Sequence, residues 1–251
     1  MNKKLSWMSI GFGAAVFLAG AVLRERVAPL TMGTSTGFPP FEMIEAGEEG
    51  AVVGFDVDLA KAIAANAGRG LKIVDMPFED LIPALESREV EMVLVAMTIT
   101  GERAARVDFS APYYKATQVV LHRADEPAPA SKDAMKGRTV GAQAGTTSHA
   151  LAREIAGAAA ARPAATPKAV VEELLGGRAD FALMDEPSAR AFQKRIPELG
   201  IAELPFPEEF YGVAVRRGNA KLLGTINQTL KQLAADGRHD ALVERWMVRR
   251  D

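Results

Sequence analysis

Short apolar runs alternate with longer helical stretches along this chain, and that alternation leaves few folds open to it. Val27 to Thr31 reads as a strand entering a loop. Behind Asp56, a residue able to cap a helix, Val57, Ala60, Ile63, Ala64 and Ala67 recur at helical spacing until Gly68 stops the pattern. Leu71 to Val74 reads as a strand, Phe78 to Glu86 as a short helix, and Met92 to Met97 as an apolar strand of the kind covered on both faces of a parallel sheet. The grammar restarts beyond the Pro-rich stretch Asp125 to Ala130. Strands are expected at Arg138 to Ala142, Asp180 to Met184 and Gly212 to Val215, helices at Ser148 to Ala156 and Val170 to Leu175, and one or two amphipathic helices from Leu222 to Trp246. Strands alternating with helices predict an α/β fold with mostly parallel sheets and helices on their faces. At 251 residues the chain is long enough to divide into two lobes of ordinary domain size.

Charge and composition narrow the function classes. Thirty Lys and Arg against 32 Asp and Glu leave a net charge of -2, without the basic excess of a nucleic-acid binder. There is no cysteine, which removes disulfides, thiolate metal sites and Cys nucleophiles. His122, His149 and His239 show no ligand spacing and read as exposed polar residues, so neither a metal nor a cofactor is expected. Phosphate-binding glycine loops are missing as well.

The N-terminal segment has the layout of an export signal. Asn2-Lys3-Lys4 opens it, Leu5 to Leu23 carries no charge, and Ala19-Gly20-Ala21 offers the small-x-small pattern of a cleavage site. An uncleaved anchor is the competing reading, because the uncharged stretch nearly suffices to cross a bilayer. A buried core helix is disfavoured by the Lys pair before it and Arg24-Glu25-Arg26 after it.

Four places with unusual physics fall just past the carboxyl ends of predicted strands, where open α/β sheets bind ligands. In Thr98-Ile-Thr100-Gly-Glu-Arg103, Thr100 is a plausible N-cap and places Arg103 in the first turn, the unfavourable end of the helix dipole for a cation. Hydroxyls, helix amides and a guanidinium fork suit a carboxylate; the plainer alternative is a surface Arg paired with Glu102 or Asp108. Gln143-Ala-Gly145-Thr146-Thr147-Ser148 is a strand-to-helix turn whose hydroxyls either cap the helix or face a ligand. Asp185, before Glu186-Pro187, either caps the next helix or opposes a ligand ammonium. Phe38, Phe41 and Phe78 read as core, and Phe38 and Phe78 alternatively as the apolar walls of a pocket. A cationic clamp and an anionic partner together supply both poles needed for a zwitterion.

Gly54-Phe-Asp-Val-Asp-Leu-Ala60, Met97-Thr-Ile-Thr-Gly-Glu-Arg103, Val107-Asp-Phe-Ser-Ala-Pro-Tyr-Tyr114 and Val140-Gly-Ala-Gln-Ala-Gly-Thr-Thr147 resemble the periplasmic polar amino-acid-binding proteins of ABC importers, the glutamine- and lysine/arginine/ornithine-binding members above all. The resemblance runs from about Val27 to Trp246. It implies the two-lobed type II periplasmic-binding-protein fold, with residues 24–115 plus 212–251 as lobe one and 116–211 as lobe two. Hinge crossings are expected near Lys115 to Gln118 and Glu209 to Gly212. It implies further that Arg103, the Thr98 amide and Thr147 hold the ligand α-carboxylate, with Thr146 also among the ligand-binding residues. Asp185, the Thr98 hydroxyl and the Ala96 carbonyl would hold the α-ammonium, and Phe38 and Phe78 would flank the side chain. Ser35, Gln143 and Met184 would select it. None of those three is charged, so a neutral amino acid is the expected ligand. A permease of the inner membrane is the expected partner of an exported monomer, which binds no nucleic acid.

Two enzyme readings compete. Gly33-Thr-Ser35-Thr-Gly37 matches a nucleophile-elbow pattern, which needs a helix directly after the serine; Phe38-Pro39-Pro40-Phe41 cannot supply one. A dehydratase similar to the cyclohexadienyl dehydratases would use the same lobes with a glutamate acid in the pocket, for which Glu186 is the candidate. A membrane-anchored sensor with the same lobes is the third alternative.

Overall fold

A computed structural model describes residues 28–45 and 50–248. The export segment and the Arg24-Glu25-Arg26 cluster lie outside the described residues. In chain order the elements begin β1 (Leu30–Thr34), β2 (Met43–Ile44), β3 (Val52–Val53), α1 (Phe55–Asn66), β4 (Leu71–Asp75), α2 (Leu81–Ser87) and β5 (Met92–Val93). There follow α3 (Gly101–Ala104), β6 (Val107–Phe109), the long β7 (Tyr114–Arg123), β8 (Val140–Gln143), α4 (Thr147–Ala156), β9 (Ala161–Ala164), α5 (Pro167–Leu175) and β10 (Phe181–Asp185). The chain ends in α6 (Glu186–Arg195), β11 (Leu199–Ala202), β12 (Glu208–Tyr211), β13 (Ala214–Arg216), α7 (Ala220–Ala235) and α8 (Arg238–Val243).

These form two large sheets, ordered β4-β1-β5-β13-β6 and β11-β7-β10-β8-β9, and a two-strand ribbon β2-β3. The expected parallel ladders are present as β4-β1-β5 and β10-β8-β9. Each sheet also holds antiparallel strands, for a topological reason. β7 leaves the first half of the chain and enters the second sheet against its parallel strands, and β13 returns the same way into the first. Between the sheets, β12 pairs antiparallel with the start of β7, from Tyr211 opposite Tyr114 to Glu208 opposite Thr117. This two-strand ladder carries both crossings of the chain.

Side chains alternate between two cores on either side of each sheet, as pleating requires. Met92, Leu94 and Ala96 pack into one cluster while Val93, Val95 and Met97 pack into the other. On β10, Phe181 and Leu183 face one cluster, Ala182 and Met184 the opposite one. Burial on both faces is why these segments read as continuous apolar runs.

Several local expectations are corrected. The first strand runs through Thr34 rather than ending at Thr31, its expected start at Val27 lying outside the described residues, and the apolar run from Met92 pairs as a strand only through Val93. The chain bends there because Ala96 adopts a left-handed φ of 47°. Asp56 does not cap α1; the N-cap is Gly54 and Asp56 is fully buried inside the first turn. Its Oδ2 accepts the Ala96 amide at 2.7 Å and the Tyr113 hydroxyl at 2.9 Å, tying the helix to the bend. Gly54 is required where it stands, since a Cβ would lie 1.9 Å from the Phe41 carbonyl oxygen. His122 is buried rather than exposed, its Nδ1 2.8 Å from the Arg123 carbonyl, and His239 places Nε2 2.7 Å from the Tyr113 carbonyl. The surroundings of both are chosen by strand and helix packing, which a lone His in sequence does not reveal.

Candidate functional site

Strand β5 and the bend after it, the β8–α4 turn and the β10–α6 junction all open on one cleft between the sheets. The cleft encloses about 510 Å³, part of it open to solvent. All eleven residues singled out from sequence line it: Ser35, Phe38, Phe78, Ala96, Thr98, Arg103, Gln143, Thr146, Thr147, Met184 and Asp185. Phe41 does not; it is core, stacked on Phe38 at 5.9 Å and edge-on to Tyr114 and Tyr211. Phe38 packs against apolar clusters of both sheets, so it bridges the cleft at its edge.

The cationic side is built around a short helix. Thr100 caps α3 by accepting the Arg103 amide at 3.2 Å, as expected. The guanidinium then turns back rather than out to Glu102 or Asp108. Nη1 donates to the Thr98 carbonyl at 2.7 Å, and Nη2 crosses the cleft to the Gly145 carbonyl at 3.1 Å. Phe78 lies beneath, its ring centre 5.2 Å from the guanidinium carbon. Burial lowers the Arg103 pKa, partly countered by Glu209 and Asp185, and the group stays a cation.

On the opposite side, Asp185 occupies the N-cap position of α6 but its side chain makes no capping bond. The carboxylate instead accepts the Tyr211 hydroxyl at 2.5 Å and the Gln118 amide, both from the crossing strands. Burial first, and the nearby Glu209 carboxylate second, push its pKa up to about 7. A buried carboxylate so disposed is stabilised by an arriving cation.

In the β8–α4 turn the two threonines part company. Thr146 caps α4 through the His149 amide and donates to the Gln143 carbonyl at 2.6 Å, the plainer of its two roles. Thr147 points instead to Glu209, donating at 3.0 Å to the oxygen that also receives the Thr98 hydroxyl at 2.5 Å. Glu209 thus links a residue of each half of the molecule from the crossing strand β12. In the sequence it reads only as a hinge position.

Glu42 is the larger omission. It lines the cleft, is fully buried, and neither carboxylate oxygen has a hydrogen-bond partner. Burial, with Asp56 and Asp75 as like charges, raises its pKa well above the usual range. The expectation of a neutral ligand rests on Ser35, Gln143 and Met184, and the structure adds a fourth, ionisable wall. One signal is available in the chain: Glu42 directly follows the aromatic loop Phe38 to Phe41. Glu186, the dehydratase candidate, faces a different groove and pairs with Arg190 at 2.7 Å. Among the described residues no cluster of three His, Cys, Asp or Glu could hold a metal, and no helix is long and apolar enough to cross a membrane.

The bacterial extracellular solute-binding proteins, family 3, match residues 30–249 as a family model. The arginine-binding extracellular protein of Bacillus subtilis is 34% identical, over 87% of this chain and 86% of that one. ABC transporter arginine-binding protein 1 of Escherichia coli is 31% identical, over 92% of this chain and 95% of its own length. Among solved structures, an ancestral arginine-binding protein bound to arginine superposes with a TM-score of 0.83 at 37% identity, covering 88% of this chain and 99% of that one.

Proposed function

Since the chain belongs to family 3 of the bacterial extracellular solute-binding proteins, we propose that it captures an amino acid with a cationic side chain, L-arginine first, for an ABC importer. It is a binding protein of amino-acid transport that works outside the cytoplasm, not an enzyme or a sensor. Arg103 with Thr98 and Thr147 receives the α-carboxylate, and Asp185 the α-ammonium. Phe38 and Phe78 flank the side chain, whose cation reaches Glu42. The carrying observation is Glu42 itself, a fully buried carboxylate on the cleft wall with both oxygens unpartnered. A buried ion without a partner is costly, and an arriving guanidinium or ammonium offsets that cost.

Residues 24–115 plus 212–251 and residues 116–211 act as the two lobes, turning about the β7–β12 ladder. The protein works as a monomer, exported through its N-terminal segment, and delivers to a permease of the inner membrane. A neutral polar side chain is the second reading, favoured by the uncharged Ser35, Gln143 and Met184 beside the same pocket.

Titration calorimetry with L-arginine, L-lysine, L-glutamine and L-glutamate tests the choice. Arginine binds most tightly, and Glu42→Gln removes its advantage over glutamine. Tighter binding of glutamine than of arginine by the unaltered protein would overturn the cationic reading.

A further inference from the structure

Glu42, which lines the cleft, and Asp56, a like charge acting on it from inside the first turn of α1, are both buried acids. Each is fully buried, and three of their four oxygens have no donor: both of Glu42 and Oδ1 of Asp56. The groups facing them are few. Tyr113 and the Ala96 amide both donate to Asp56 Oδ2, and Asp75 adds a more distant negative charge on Glu42. Arg103, and Asp185 from the other half of the chain, line the same cavity as Glu42. Among the described residues no cation touches either acid. Two carboxylates in one dry site do not both ionise, since each disfavours the other's charge. The two donors favour the anion on Asp56, so the proton stays with Glu42, which has none.

We propose that Glu42 holds a proton until the ligand's side-chain cation arrives and then gives it to solvent, so that capture of a cationic amino acid releases one more proton than capture of a neutral one. The exchange balances simply: the carboxylic acid becomes a carboxylate paired with the guanidinium, and the proton goes to the buffer. This rests on the cleft being a cationic amino-acid site. A neutral amide side chain meets the protonated acid instead, which donates a hydrogen bond to the amide oxygen. Asp185, with its pKa near 7, loses part of a proton to the ammonium of either ligand, so it does not contribute to the difference. Near neutral pH the affinity for arginine weakens with falling pH more steeply than that for glutamine, by up to about tenfold per pH unit.

Two measurements on the full exported protein test this. Calorimetry near neutral pH in buffers of different ionisation enthalpy counts protons released by L-arginine and by L-glutamine. Infrared difference spectra of protein carrying ¹³C only in glutamate side-chain carboxyls then follow one protonated glutamate band, independent of every aspartate. The expected result is about one extra proton for arginine, with loss of that band on arginine addition and its persistence with glutamine. Glu42→Gln lacks the band from the start. Arginine binding that leaves the band in place, or releases no more protons than glutamine, overturns the proton exchange and leaves the cationic reading standing. If glutamine does not bind, arginine is scored by the band alone, which must disappear. Failure of arginine to bind at all removes the functional reading and the proton exchange with it.

Discussion

Replacing Asp185 by Asn isolates the energy stored in one wall of the cleft. The carboxyl sits at about 7 instead of its ordinary 3.8, a rise of roughly three units worth about 4 kcal/mol in full. For an acid raised in the folded state, the folded protein holds a proton that the unfolded chain has already released. Stability is therefore greatest below pH 4 and falls until the folded group has itself ionised, near pH 7. From about pH 5 to about pH 8.5 the wild-type carboxyl accounts for a loss of roughly 3 kcal/mol. The Asp185→Asn variant has no such loss. It has a fixed cost of about 1–3 kcal/mol, because its amide NH2 or its oxygen must meet two donors, the Tyr211 hydroxyl and the Gln118 amide. The Gln118 amide is not free to turn, since its Oε1 accepts the Ser148 hydroxyl at 2.8 Å.

The variant is thus expected to be the less stable protein near pH 5 and to overtake wild type as pH rises. Chemical denaturation of both, without amino acid, at several pH values reads the difference; Asp56 and Glu42 are present in both and cancel. In melting temperature the relative change is about 6–12 °C at this chain length. Parallel profiles, with a constant gap at every pH, would refute the assignment of a raised pKa to Asp185. With saturating arginine the wild-type loss should shrink, because the ligand ammonium pairs with the ionised carboxylate.

Neighbouring substitutions move the same titration in opposite directions. Tyr211→Phe removes a donor that favours the Asp185 anion, so the wild-type fall in stability shifts to higher pH; Glu209→Gln removes a like charge and shifts it lower, both read from denaturation against pH. Arg103→Ala weakens arginine binding by at least about a hundredfold in calorimetry, the loss of two charge-assisted hydrogen bonds of roughly 1.5–3 kcal/mol each. Gly54→Ala brings a Cβ to 1.9 Å from the Phe41 carbonyl at a φ of 148°, and is expected to cost more than about 3 kcal/mol in chemical denaturation or to prevent folding.

Which parts can be read from the chain follows from the range of the forces involved. The parallel strands and their helices are legible because burial on both faces writes an apolar run of known length, as in Met92 to Met97 and Phe181 to Met184. The Thr100 cap is legible because it spans three residues. Less visible are the antiparallel strands β7, β11 and β12, whose partners lie far along the chain: Leu121 pairs with Ile201, and Ala116 with Glu209. The eleven cleft residues stand out because they follow strand ends or match the family's motifs, whereas Glu42 sits beside a two-residue edge strand and carries no periodic signal. Asp56 misleads for a related reason: an acid in the first turn of a helix is usually a cap, and only the tertiary position of Ala96 and Tyr113 turns it inward.

Glu42 and Asp185 on the cleft wall and the buried Asp56 share one physical condition, and it separates binding from mere folding. Asp56 has two donors to one oxygen, Asp185 has two donors and a cation across the cleft, and Glu42 has none. A core selected for stability alone would fill these positions with apolar side chains of similar volume, which is often neutral or stabilising. Raised pKa values at all three mean that ionising any of them is unfavourable in the folded protein until a cation arrives. A ligand with a positive charge at each end relieves two of the three, and only when both halves of the molecule hold it. Relief that requires both lobes is differential affinity for the closed arrangement, which is the sole way a ligand can drive closure. An amino acid lacking the second cation should therefore bind with less closure, readable as a smaller change in radius of gyration on saturation.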